Sequence, residues 1–201
     1  MDGVRWSELA MNLLEQEVVT HRNFIVVQNM NVPEDKYVFV HPHHYDDFSA
    51  ELLLWFQKYF DGSLLAYRKS AAVPKDEDNP GPLYTVVFSN FEEVVMANSF
   101  VFVLFHMPWS RHSNKVLAIV QKIAAEFPER GHKDVKFVVM DARLNTLPIQ
   151  LDHYPAFFLY APNEDEPVKF DHQGHRFRFD TIERFYLKYK KEDTAEVDVV
   201  M

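Results

Sequence analysis

Two serines three residues apart, Ser110 and Ser113, bracket Arg111 and His112 in the stretch Met107-Pro108-Trp109-Ser110-Arg111-His112-Ser113. A hydroxyl beside an imidazole invites a nucleophile-and-base reading, with His112 taking the Ser110 proton and an oxyanion hole holding the developing charge. The spacing opposes it, because side chains at i and i+2 of a helical turn do not face each other. Exchange chemistry at sulfur is closed as well. It needs a thiolate, a serine hydroxyl does not ionise at neutral pH, and the chain has 0 cysteines. A second cluster, His41, His43, His44, Asp46 and Asp47, consists of metal-ligand types. All sit in one short loop with no spaced partner, and Asp46 or Asp47 suits a helix N-cap, so a solvated loop is the better reading. His172 and His175, flanking Gly174, read the same way. No metal or cofactor is expected.

The elements that position the serines are legible. Phe100 to Phe105 is a continuous apolar run, the pattern of a strand buried on both faces. A Met107-Pro108-Trp109 turn follows, then a helix with Val116, Val120, Ile123 and Phe127 at helical spacing. Before this unit, Trp6 to Val18 has the periodicity of an amphipathic helix. Asn23 to Gln28 and Lys36 to Val40 read as a strand pair, and Phe48 to Phe60 as a helix with Phe48, Leu52, Trp55 and Tyr59 on one face, ending at Asp61-Gly62. Residues 70–82, SAAVPKDEDNPGP, have the proline and charge content of an extended linker. Beyond it the pattern predicts a strand at Leu83 to Val87, a helix at Ser89 to Ala97, the central strand and helix, and a strand at Val135 to Met140. A short helical piece near Leu147 to His153, strands at Ala156 to Tyr160 and Pro167 to Phe170, and a helix at Asp180 to Lys190 complete it.

At 47% hydrophobic and 15% aromatic residues the chain can bury a substantial core. A net charge of -9 and a pI near 5.5 argue against nucleic acid or an anionic membrane surface as the main partner. No apolar run approaches the ~20 residues of a membrane-spanning helix, and the first residues lack a signal-peptide core.

Taken together, the passage Phe60 to Pro74, the helix start Asn90-Phe91-Glu92-Glu93-Val94, the Pro108-Trp109 turn, Met140-Asp141-Ala142 and Tyr154-Pro155 resemble the protein disulfide isomerase family. The resemblance implies an α/β thioredoxin-like domain over residues 83–192, similar to the family's last catalytic domain, with a tail at 193–201. Residues 1–66 resemble the second half of a non-catalytic thioredoxin-like domain, and 67–82 the linker. In the family a Cys-x-x-Cys pair follows the tryptophan, and those positions fall on Ser110 and Ser113. The family's buried carboxylate, which moves protons during exchange, falls on Leu104. The threonine before the cis-proline falls on Tyr154, with Pro155 kept.

These departures point to a redox-inactive module. The groove beside the turn and the cis-proline loop, lined here by Met107, Trp109, His112, Tyr154 and Pro155, would bind unfolded or partner polypeptide in chaperone or adaptor fashion. The alternative is a serine-substituted form of a thiol-disulfide oxidoreductase or isomerase. The half-domain leaves apolar helix faces to be covered, which suggests self-association through residues 1–66. The resemblance places such a protein in the endoplasmic reticulum lumen, although the chain shows neither signal peptide nor retention tetrapeptide.

Overall fold

The computed structural model describes residues 24–28, 36–40, 48–97, 100–162, 164–171 and 177–197. The expected helix Trp6 to Val18, the His41 to Asp47 cluster and the His172/His175 pair lie outside the described residues. The chain divides into two compact units, Met1–Tyr67 and Arg68–Met201.

In the first unit, β1 (Phe24–Gln28) and β2 (Lys36–Val40) form an antiparallel pair, and α1 spans Phe48–Phe60. Phe39 of β2 packs edge-on against Phe48 and Trp55 of α1, and Tyr37 meets Tyr59. Of the helix residues only Trp55 is buried. Gly62, at φ 77°, takes the left-handed conformation that ends a helix, and its N–H reaches the Tyr59 carbonyl.

The second unit begins with the segment expected as a linker. Residues 68–82 are mostly irregular with a short 3-10 turn at Asp76–Asp78, and they are tied to the body of this unit. Lys69 N–H donates to Thr146 Oγ1, and Ala71 N–H to Asn145 Oδ1. There follow β3 (Leu83–Thr85), α2 (Phe88–Met96), β4 (Phe100–His106), α3 (Arg111–Glu129), β5 (Val135–Asp141), β6 (Ala156–Tyr160), β7 (Val168–Lys169) and α4 (Phe179–Val197). The helix α4 therefore runs into the segment expected as a tail.

One expected element is absent. Residues 147–153 form turns and bends with no helix. Leu147, Ile149 and Leu151 all pack against one core cluster. They recur every second residue, the period of extended chain and not of a helix.

The sheet has the order β3-β5-β4-β6-β7, with β3, β5 and β4 parallel and β6 and β7 antiparallel to their neighbours. Alternation along β4 explains why its run is wholly apolar. Phe100, Phe102 and Leu104 meet Val116, Val120 and Phe127 of α3 and Ile182 and Tyr186 of α4. Val101, Val103 and Phe105 face the other way, with Phe91 of α2. Phe102 is stacked between Phe137 and Phe157, with ring centroids at 4.9 and 5.0 Å. A mixed central sheet covered by helices on both faces is a thioredoxin-like α/β fold.

Candidate functional site

The site is built where β4 runs out. His106 is the last strand residue, and the chain turns through Met107 to Ser110 before α3 begins at Arg111. Ser110 N–H donates to the Met107 carbonyl, and the Asn114 side-chain amide donates to the Pro108 carbonyl at 2.7 Å, so the turn is held from both sides. Ser110 is the N-cap of α3. Its Oγ accepts the Ser113 N–H at 3.2 Å, the side-chain bond that satisfies one of the unpaired amides of a first helical turn.

Ser113 has no accessible surface, and its Oγ accepts a long 3.4 Å bond from Met107 N–H. Neither hydroxyl is presented as a nucleophile. Ser110 is occupied as a cap, Ser113 is sealed, and His112 projects from the exposed side of the helix. Leu104, where the resemblance puts a proton-carrying carboxylate, is fully buried among apolar side chains.

The antiparallel pairing of β4 with β6 sets Phe105 opposite Ala156. It thereby brings Tyr154-Pro155 to the same end of the sheet as Met107 and Trp109. The Tyr154-Pro155 bond is cis. Pro155 is buried, whereas Tyr154 is half-buried, packs on the core cluster of Val101 and Phe158, and has its phenol pushed up by burial. Met107 is half-buried. Trp109 is 66% exposed, so its indole is not stacked shut against Tyr154.

Sequence reasoning missed His106. It is half-buried directly behind the turn, in register with Asp141 of β5, and its Nδ1 is buried without a hydrogen-bond partner among the described residues. Burial holds the imidazole below its ordinary value, with the Asp141 charge opposing. The one signal available was a histidine closing an otherwise apolar strand. Asn145, 5% exposed, was missed as well. Its Oδ1 accepts from both Ala71 and Phe88 N–H, and its Nδ2 donates to the Asp141 carbonyl.

Among the described residues no group of three or more His, Asp or Glu is placed to hold a metal ion, and no helix is long and apolar enough to cross a membrane.

No family model matches the chain. Among curated proteins it is 34% identical over 166 residues to a protein disulfide-isomerase A3 of Gallus gallus, covering 80% of this chain and 30% of that protein. It is 29% identical over 151 residues to a protein disulfide-isomerase of Triticum aestivum, covering 74% of this chain and 28% of that protein. The chain thus spans less than a third of the length of these relatives. Among solved structures it is similar to the first thioredoxin domain of mouse protein disulfide-isomerase A4, with a TM-score of 0.45 and 16% identity over 60% of this chain and 85% of that one. The J-Trx1 fragment of ERdj5 aligns with a TM-score of 0.46 and 16% identity, over 56% of this chain and 53% of that one. By its 34% identity with the Gallus gallus protein over most of its length, this chain belongs to the protein disulfide isomerase family.

Proposed function

We propose that the chain is a redox-inactive thioredoxin-like module that binds extended polypeptide beside the turn 107–113 and Pro155. The observation that carries the reading is Trp109. An indole left 66% exposed on a hydrogen-bonded turn is a ready anchor, and tryptophan is among the residues that most often dominate binding energy. Met107 and Tyr154 supply apolar surface at the same end of the sheet, and His112 adds a polar edge on the first turn of α3. Loss of both thiols removes exchange chemistry while leaving this surface in place. The binding needs no cofactor.

The relatives' names support a polypeptide as the ligand class, and by the family resemblance we place the chain in the endoplasmic reticulum lumen. Leu53, Leu54 and Phe60 of the first unit are exposed, which supports self-association through residues 1–66 as a further contact.

The test is anisotropy titration of a fluorescein-labelled, carboxymethylated unfolded protein against the wild type and Trp109→Ala. The variant should bind about tenfold more weakly or worse, the scale of a hot-spot residue, with an unchanged circular dichroism spectrum. Equal affinity overturns the reading. A second reading, the serine-substituted form of a disulfide-exchange enzyme, is favoured by one observation, the apposition of Ser110 and Ser113 on the first turn of α3.

A further inference from the structure

An open cleft of about 900 Å³ lies in the second unit on the α2 side of the sheet, away from the turn at Trp109. Tyr160, on its floor, is the last residue of β6 and pairs with Val101. Ala156, at the other end of that strand, pairs with Phe105 beside the turn. Four residues of strand put about 13 Å between the two surfaces.

The floor is apolar, formed by Phe91, Val95, Met96 and Tyr160. Phe91 and Tyr160 meet edge to face at 5.5 Å, which fixes the shape of the floor, while Met96 is 77% exposed on α2. An unbranched thioether of that kind adapts to irregular partners. Below this surface the Tyr160 hydroxyl is buried, with no hydrogen-bond partner among the described residues.

The rim carries one sign of charge. Glu92 from α2 and Glu164 and Asp165 from the β6–β7 connection are all exposed and line the cleft, and no lysine, arginine or histidine is found among its described lining residues. Among the described residues none of the three carboxylates takes part in an ion pair. An apolar floor within an unneutralised acidic rim is complementary to lysine or arginine, whose stems lie along apolar surface while their cationic tips reach outward.

We propose that this cleft is a second docking surface, for a segment of partner polypeptide that carries lysine or arginine interleaved with apolar side chains. It is independent of the Trp109 surface, so either can fail without the other. It would sort partners by charge, where the first surface sorts by apolar content.

The experiment uses the full chain and two fluorescein-labelled peptides, one alternating lysine with leucine and phenylalanine and the other identical with glutamate for lysine. At low salt the lysine peptide should bind about tenfold or more tighter than the glutamate peptide, and added salt should weaken it. The triple variant Glu92→Lys/Glu164→Lys/Asp165→Lys should lose that preference, and Met96→Ala, which leaves the charge of the rim in place, should weaken binding of the lysine peptide and thereby locate the contact on the floor. The preference for the lysine peptide over the glutamate peptide should survive Trp109→Ala, whose surface takes either peptide by its apolar residues, and the distant charge reversal Asp76→Lys/Asp78→Lys. Failure of the lysine peptide to bind at millimolar concentration, equal affinity for the triple variant, or an equal loss from the distant reversal would each overturn the proposal.

Discussion

Ser113 donates its amide hydrogen to the Ser110 hydroxyl at 3.2 Å, so the two serines that the family resemblance sets at the cysteine positions are joined as a helix cap. A serine at an N-cap satisfies an amide that would otherwise lack a partner, and removing it costs ~1 kcal/mol. Ser110→Ala should therefore lower the unfolding free energy by about that amount in urea titration, and Ser110→Asp, which restores an acceptor, should recover most of it. An alanine variant as stable as the wild type would mean that the cap contributes nothing.

Ser110→Cys/Ser113→Cys introduces two thiols without the carboxylate that the family resemblance pairs with them. Leu104 is fully buried in the apolar cluster with Val116 and Val120, and no carboxylate stands there to carry a proton. The double variant is expected to reduce insulin slowly. Adding Leu104→Glu should raise the rate while destabilising the fold, because burying an unpaired carboxyl in such surroundings costs a few kcal/mol or forces the group to stay protonated. Brisk insulin reduction by the double variant alone would sink the idea that the site has drifted from catalysis.

The central strand, the helix after it and the cap were legible because each rests on local pattern: six apolar residues in a row, helical spacing, and a serine before the first turn. Residues 68–82 were not. Their prolines and charges look like a linker, and only the folded chain reveals that Asn145, a remote residue with no local signal, holds Ala71 and the start of α2 through one carbonyl oxygen. Asn145→Ala would leave two amides without their acceptor in a part-buried place. It should cost about 2–3 kcal/mol and speed amide exchange at Ala71 and Phe88. Exchange rates matching the wild type would show that other contacts hold the segment.

His106 was equally hidden, because a histidine at the end of an apolar strand gives no sign of whether its ring will be wet. Burial lowers its folded-state value below the ordinary 6.5. The unfolded chain thus takes up the proton more readily. The neutral ring's contribution to stability is full above pH 6.5 and is lost as pH falls from there through the lower folded value. Urea unfolding at pH 8 and at successively lower pH should show wild type losing more stability than His106→Phe. Parallel pH profiles for the two proteins would mean that the ring is hydrated after all.

Where β5 begins, Tyr186 of α4 donates its hydroxyl hydrogen to the Asp134 carboxylate, with Oδ distances of 2.8 and 2.9 Å, and Lys190 reaches both groups. Burial is the main influence pushing the Tyr186 phenol up to about 12, and the neighbouring carboxylate adds to it. Burial also works to raise Asp134, but the bonds from Lys190 and Tyr186 together outweigh it and hold that carboxyl below 3.8. The signs are opposite at the two ends of the pH scale. Because the folded phenol keeps its proton longer than the unfolded one, its contribution is intact below pH 10 and disappears as pH rises toward about 12. The Asp134 contribution is present above 3.8 and fades as acid titrates the folded carboxyl. Tyr186→Phe keeps the ring that meets Phe100 and Phe127 and removes only the hydroxyl. It should cost ~1 kcal/mol at neutral pH, the usual scale of one hydrogen bond. That deficit relative to wild type should shrink between pH 10 and about 12 as the wild type loses what the variant never had. A constant deficit across that range would place the value of Tyr186 in its ring packing and not in the bond to Asp134.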